Sequence, residues 1–171
     1  MFQINRMRIA GIFIAFSFIF ANPVDDVEAY ITLADVNAVE GSITLAYQSL
    51  DDIYGFQFQV TGVELLNEFE SNLSDGGVNT NSGLVIIFDV AGGFIPAGNG
   101  TLVKLFYEFV DTETVVEISN IEVAGTDGEV LPTDSVQYVN VPATPQDCGN
   151  VFNGSRTLDN YNNCCLQEEL A

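Results

Sequence analysis

The sequence contains no histidine and no tryptophan among its 171 residues. Without histidine, catalytic triads that use imidazole as the general base are excluded, and so are zinc sites of the usual His-containing kinds. A zinc site made of cysteine alone normally needs four thiolates, and the chain has 3 Cys. The 24 acidic residues could supply the paired carboxylates of a glycosidase, but no pair stands out from the others. We therefore predict that the protein is not an enzyme.

Basic residues are scarce as well, with 4 Lys and Arg against 24 Asp and Glu and a net charge of -20. A surface of this sign repels nucleic acid and anionic membranes, so we expect neither as a partner. Arg6 and Arg8 precede a short apolar run, Ile9 to Phe20, which is shorter than the ~20 residues of a spanning helix. With the small residue Ala21 after it, this segment predicts a signal peptide over residues 1–21. The mature protein is then secreted or held at the cell surface, with no stable membrane insertion.

The clearest structural pattern is the segment IYGFQFQVT, Ile53 to Thr61. Large apolar side chains alternate there with small or polar ones, which is typical of a strand with one buried face. The alternation turns Phe56 and Phe58 inward, and we expect them to pack against Leu105, Tyr107 or Ile86. The polar stripe on the outward side consists of Gln57, Gln59 and Thr61.

Six further segments read as strands, and one more reads as either a strand or a short helix. The six are Tyr30 to Val36, Ser42 to Gln48, Leu84 to Val90, Leu102 to Val110, Val115 to Ala124 and Val136 to Val141; the ambiguous one is Val63 to Phe69. Leu84 to Val90 is apolar on both faces, which predicts a strand covered on both sides. Residues 71–83, 91–100 and 125–134 have the composition of loops. With a break near Ser119, about eight to nine strands result, so we predict an all-β antiparallel sandwich compatible with a jelly roll.

Two motifs carry a family resemblance. GFQFQVTGVEL (Gly55 to Leu65) and IPAGNGTLVKLFYEF (Ile95 to Phe109) resemble the cohesin-like sandwich domains of secreted bacterial proteins. The resemblance covers Ala29 to Val141 and implies a nine-stranded jelly roll with a non-catalytic binding role. Cohesins share a fold superfamily with cellulose- and chitin-binding modules, so the implied partner is a polysaccharide or a protein docking module. The resemblance supplies no catalytic residues.

Pro142 and Pro145 mark a linker, so we predict a sandwich over residues 22–141 and a linker with a tail over residues 142–171. The tail sequence DCGNVFNGSRTLDNYNNC is similar to short Cys-containing repeats that follow such domains in secreted proteins. In an exported chain a disulfide is expected, and neighbouring cysteines rarely bond to each other. Cys148 and Cys164 are the preferred pair, which leaves Cys165 over, with an intermolecular bond as one alternative for it.

Calcium is the one cofactor that the sequence suggests. Its oxygen ligands would come from acids at strand ends, and the candidates are Asp111, Glu113, Asp127 and Glu129. None of the acidic clusters matches an EF-hand loop, and solvated acidic turns are the simpler interpretation.

For a binding surface, the candidates are the polar stripe Gln57, Gln59 and Thr61 together with two tyrosines whose orientation the pattern leaves open, Tyr30 and Tyr138. Alternation turns Tyr47, Tyr54 and Tyr107 inward, where packing is their expected role. The sequence predicts a secreted binding module. The alternative is a structural or adhesive surface protein in which the sandwich serves as a spacer and the tail joins it to something else.

Overall fold

The structure, a computed structural model, describes residues 28–133, 137–158 and 162–166, which are almost entirely β-structure. The predicted signal peptide lies outside this range. Twelve strands are numbered in chain order: β1 (Ala29–Asn37), β2 (Ser42–Ser49), β3 (Gly55–Thr61), β4 (Leu65–Glu70), β5 (Asp75–Asn79), β6 (Leu84–Phe88), β7 (Gly98–Tyr107), β8 (Thr114–Ala124), β9 (Val130–Leu131), β10 (Gln137–Val141), β11 (Arg156–Leu158) and β12 (Cys164–Leu166). A short 3-10 turn, Thr126–Gly128, lies between β8 and β9.

Ten of these strands form two antiparallel sheets that face each other. The first sheet has the order β1-β2-β7-β4, and the second has the order β10-β8-β3-β6-β5, with β9 pairing beside β8. The second is called the wide sheet below. Side chains from both sheets meet in one continuous apolar core. The predicted all-β antiparallel sandwich is therefore confirmed.

The central strand β3 has the predicted faces. Phe56, Phe58 and Val60 are 4%, 0% and 2% exposed, whereas Gln57 and Gln59 lie on the outer side. The first sheet supplies Val103, Leu105 and Tyr107 to the same core. One expected core residue is wrong, because Ile86 is 39% exposed and lies on the outer face.

Ile86 is misplaced because β6 is not covered on both sides as predicted. Val85 and Ile87 are fully buried, but Leu84 is only partly covered, and Ile86 and Phe88 face outward. A two-layer sandwich has no third layer to cover this side, since within the described residues no helix packs on it. The outer face of β6 is thus apolar and exposed.

The segment predicted as a loop over residues 71–83 contains β5. This strand has the sequence DGGVN and buries only Val78, so no alternation marks it. Gly76 has a φ of 102°, and a Cβ there would lie 2.1 Å from the carbonyl oxygen of Ile86. Glycine therefore allows the close pairing with β6, which the sequence pattern by itself does not reveal.

Strand β8 is continuous where a break was expected near Ser119. Asn120 has a φ of 51°, and the register against β3 shifts between the pairs Gln57–Glu122 and Gln59–Ser119. The extra residue is a β-bulge, which bends the strand without ending it. Its consequence is that Glu122 lies beside Gln57 on the outer face.

The tail has its own small sheet, formed by β11 and β12, and the predicted disulfide joins Cys148, which precedes β11, to Cys164 on β12. The tail also packs on the sandwich. Thr144 is 3% exposed, its amide donates to the carbonyl oxygen of Val110 at 2.8 Å, and Asn153 Nδ2 donates to the carbonyl oxygen of Val39 at 2.6 Å. The linker and tail predicted from residue 142 onward are therefore in direct contact with the sandwich.

We looked for membrane-spanning helices in the described segments and found no helix with the length and apolar character to cross a bilayer.

Candidate functional site

The predicted polar stripe lies on the outer face of the wide sheet. Gln57 Nε2 donates a 2.7 Å hydrogen bond to Glu122 Oε2 on β8, and Gln59 Nε2 donates to the carbonyl oxygen of Ser82. Thr61 is exposed at the end of the same strand. These bonds tie both side-chain amides to groups on either side of β3, so the stripe is a hydrogen-bonded part of the outer face.

Beside the stripe lies an apolar patch. Ile86, Phe88 and Val130 are 39%, 40% and 62% exposed, although each belongs to a strand of the wide sheet. Phe88 pairs with Gly55 on β3, and Ile86 pairs with Gly77 on β5. Because neither glycine has a side chain, Phe88 has no neighbouring side chain at its β3 partner, and Ile86 has none at its β5 partner. The outward side of a two-layer sheet is normally polar, so this patch is a departure from the usual pattern.

A shallow cavity of about 230 Å³ lies over this patch. Its lining residues include Gly55, Ala124, Phe88, Val130 and Glu122. A Cβ at position 55 would lie 3.2 Å from the carbonyl oxygen of Ile87 and 3.3 Å from the Cβ of Phe88. Glycine at this position therefore lets β6 and its aromatic ring approach β3 closely. We name the surface formed by Gln57, Ile86, Phe88, Glu122 and Val130 the outer patch.

The charges around the outer patch are all negative among the described residues. Glu122 lies within it, Glu117 pairs with Thr61 further along the sheet, and Asp75 pairs with Phe88 at the opposite edge. The two described bases lie elsewhere: Lys104 is ion-paired with Glu40 on the other sheet, and Arg156 with Asp147 in the tail. The outer patch is thus apolar at its centre and acidic at its margins.

The two tyrosines proposed for binding lie on different surfaces. Tyr138 is 65% exposed on the edge strand β10 and pairs with Glu117, so it shares the face of the wide sheet. Tyr30 is 38% exposed on β1, which belongs to the other sheet. Of the inward tyrosines, Tyr47 and Tyr107 are buried as expected. Tyr54 is only partly buried because the chain is irregular before β3, and its ring lies 5.4 Å from that of Phe94.

The four acids proposed as calcium ligands form two separate pairs. Asp111 and Glu113 precede β8, whereas Asp127 and Glu129 follow it, and 11 residues of strand separate the pairs by about 33 Å. One ion therefore cannot contact all four. Within the described residues, no group of three or more Asp, Glu or Cys side chains lies close enough to hold a metal ion. Calcium binding at either pair remains a prediction.

The loops near Asp127 are held by a different acid, Asp51. Its carboxylate accepts hydrogen bonds from the amide of Asp52 at 2.8 Å and from Thr126 Oγ1 at 3.0 Å. These donors lower the pKa of Asp51 below its usual value, with the Asp52 amide as the largest cause. The carboxylate therefore ties the β2–β3 loop to the loop after β8.

The comparisons with known proteins gave structural neighbours only. No family model and no curated protein matches the chain. Among solved structures, the chain is similar to the cohesin module of a family 33 glycoside hydrolase from Clostridium perfringens, with 15% identity and a TM-score of 0.48, over 68% of this chain and 97% of that one. It is also similar to a non-cellulosomal cohesin from the archaeon Archaeoglobus fulgidus, with 16% identity and a TM-score of 0.46, over 69% of this chain and 92% of that one. Both are modules of the kind that the sequence motifs resemble.

Sequence reasoning missed the apolar residues of the outer patch, although a signal was present. The segment LVIIFDV has apolar residues on both faces, and no predicted helix was available to cover the second face. In a two-layer sandwich one of those faces must then meet solvent. The segment whose sequence predicts cover on both sides therefore supplies two of the exposed apolar residues of the outer patch, Ile86 and Phe88.

Proposed function

We propose that this chain is a secreted, non-catalytic module that binds a protein partner through the outer patch. The observation that carries the proposal is the exposed group Ile86, Phe88 and Val130 on the sheet face that should be polar. Burial of apolar surface is the main source of affinity in protein association. The resemblance of the GFQF-type motif to cohesin-like domains supports the same kind of role.

The charge around the outer patch defines the chemistry of the partner. Acidic margins favour a partner that presents an apolar ridge flanked by Lys and Arg, since opposite charges steer the two surfaces together. Gln57 and Glu122, which are already hydrogen-bonded to each other, offer further acceptors to such basic groups. The partner class is therefore a protein with a basic-edged apolar surface.

Export supports this role. A disulfide such as Cys148–Cys164 persists in oxidising compartments, and the basic and apolar start of the chain has the form of a signal peptide. N-terminal sequencing of material recovered from the culture medium should give a start at or near Asn22. An intact Met1 start in the membrane fraction would contradict export.

The binding proposal is tested with the immobilised mature chain and the secreted and cell-surface proteins of its own organism. A partner should be retained by the wild-type chain and lost with Phe88→Asp. Burial of a carboxylate at the centre of the outer patch costs free energy, because the charge loses its hydration. The matched control is Leu50→Asp, which changes an 80% exposed residue outside the patch and should retain the partner. Added salt should weaken the interaction through screening of the basic flanks.

Equal retention by Phe88→Asp and Leu50→Asp would contradict the outer patch as the binding surface. Failure of the wild-type chain to retain any protein would favour the spacer role, in which the sandwich separates other parts of a larger assembly.

A further inference from the structure

A second concave surface lies at the end of the sandwich where β3 and β7 finish and β8 begins. Its larger part has a volume of about 680 Å³ and lies between the β3–β4 turn, the connection from Glu108 to Thr112 and Phe152 of the tail. A second part of about 580 Å³ shares Val63, Glu64 and Glu108 with the first. The two parts adjoin at these shared residues, and we name them together the end cleft. Each part by itself has a volume typical of a small-molecule site.

The tail forms one wall of the end cleft. The ring of Phe152 lies 5.5 Å from the ring of Phe109, which is 40% exposed. Hydrogen bonds on either side hold this contact, from the Thr144 amide to the Val110 carbonyl at 2.8 Å and from Asn153 Nδ2 to the Val39 carbonyl at 2.6 Å. The end cleft is thus built jointly by the sandwich and the tail.

Asp147 and the disulfide fix the tail in this position. The Asp147 side chain is 2% exposed and accepts hydrogen bonds from the amides of Gly149 at 2.8 Å and Val151 at 3.0 Å. The Cys148–Cys164 bond closes the same segment. The loop that carries Phe152 is therefore organised before any ligand arrives, which lowers the entropic cost of binding.

The lining of the end cleft is polar and varied. Its larger part carries the aromatic pair, Thr112 and Thr114, and its second part carries the amides and hydroxyls of Asn67, Thr80, Asn81 and Ser82. Carboxylates of Glu64, Glu108 and Asp111 lie along it, and no Lys or Arg is among the lining residues. Anionic ligands are therefore repelled.

We propose that the end cleft binds a neutral oligosaccharide chain. Sugar hydroxyls both donate and accept, which suits a surface that mixes carboxylates, amides and hydroxyls. The apolar face of a sugar ring packs on an aromatic side chain, and Phe109 with Phe152 offers such a contact at one end. The two adjoining parts offer room for more than one sugar unit. This site is separate from the outer patch, so the module has two ligands of different classes.

The experiment measures affinity of the full mature chain for neutral gluco-, manno-, galacto- and xylo-oligosaccharides of four to six units, by isothermal titration calorimetry. At least one series should bind, with affinity that changes little between low and high salt. Phe109→Ala should lower that affinity about tenfold, which corresponds to ~1.4 kcal/mol. The matched control Phe94→Ala removes a 45% exposed ring away from the end cleft and should bind as the wild type does.

A second variant separates ligand contact from folding. Cys148→Ser combined with Cys164→Ser should weaken oligosaccharide binding, because the wall that carries Phe152 is released, while the sandwich still melts cooperatively. Three results would overturn the proposal: no oligosaccharide binds, Phe109→Ala binds as well as Phe94→Ala, or only cationic ligands bind with a strong dependence on salt. Partner retention by the outer patch is measured independently, with Phe88→Asp, so failure of one site does not imply failure of the other.

Discussion

The rings of Phe56 and Phe58 lie 6.0 Å apart at their centroids and within 4° of parallel, on the same side of β3. Both are buried, and the residue between them, Gln57, faces outward to Glu122. Of these three consecutive residues, the two phenylalanines belong to the core and the glutamine between them belongs to the outer patch. The register of β3 therefore determines which of its residues stabilise the core and which belong to the outer patch.

The first prediction concerns that register. Phe58→Ala should lower the free energy of unfolding by ~3–5 kcal/mol, because it leaves a cavity in the core. Gln57→Ala should change it little, since it removes only an exposed hydrogen bond. Thermal or urea unfolding of the two variants measures the difference. Equal losses would mean that the two faces of β3 are exchanged.

The second prediction concerns the hydroxyl of Tyr107, which is buried and has no hydrogen-bond partner among the residues that the structure describes. Tyr107→Phe should leave the protein as stable as before or more stable, because it removes an unsatisfied polar group. Tyr47→Phe is the matched control, since that hydroxyl donates to the carbonyl oxygen of Pro96 at 3.0 Å, and its loss should cost ~0.5–1.5 kcal/mol. A Tyr107→Phe variant that is less stable than Tyr47→Phe would contradict this account.

The same residue predicts an effect at alkaline pH. Burial raises the pKa of Tyr107, so the folded state holds this proton to higher pH than the unfolded state does. Stability should therefore fall as the pH rises above the ordinary tyrosine pKa of ~10. In Tyr107→Phe the alkaline fall should be smaller. Identical alkaline profiles for the two proteins would show that Tyr107 does not contribute to it.

The third prediction concerns acid and the tail. The pKa of Asp147 is lowered, first by the Val151 amide and then by the amides of Gly149 and Arg156. A carboxyl whose pKa is lowered in the folded state stabilises the fold when the pH lies above its pKa in the unfolded state, which is ~3.9. That contribution is lost as the pH falls through the pKa of the folded state. The protection of the Gly149 and Val151 amides, measured as their exchange rate relative to that of an unprotected amide at the same pH, should fall below about pH 4. In Asp147→Asn the amides of Gly149 and Val151 should be poorly protected both below and above about pH 4. Protection equal to that of the wild type in this variant would contradict the role of the carboxylate.

The fourth prediction concerns divalent ions. Because the acid pairs lie at opposite ends of β8, we expect Ca²⁺, Mg²⁺ and NaCl of equal ionic strength to raise the melting temperature equally, through screening. The measurement is a thermal melt in each salt. A rise specific to Ca²⁺ that Asp111→Asn or Asp127→Asn abolishes would instead locate a calcium site and identify the pair that forms it.

The sequence by itself determined the class of the fold and the interior of most strands. Alternation in β2, β3 and β7 identified Leu45, Phe58 and Leu105 as core residues, because side chains in a strand must point to opposite faces. The low tendency of adjacent cysteines to bond left Cys148 to pair with Cys164 or Cys165, and the structure has the preferred pair, Cys148–Cys164.

Only the tertiary structure decided which apolar face meets solvent and where the tail lies. The local sequence pattern does not indicate whether another layer covers the outer face of a strand such as β6. The apolar residues of that strand therefore predict burial on both faces, whereas Ile86 and Phe88 are exposed. The end cleft depends on Phe152 meeting Phe109, which are 43 positions apart in the chain. Such surfaces arise from contacts between segments that are distant in the sequence. The periodicity of apolar residues indicates only which side chains of a strand share a face.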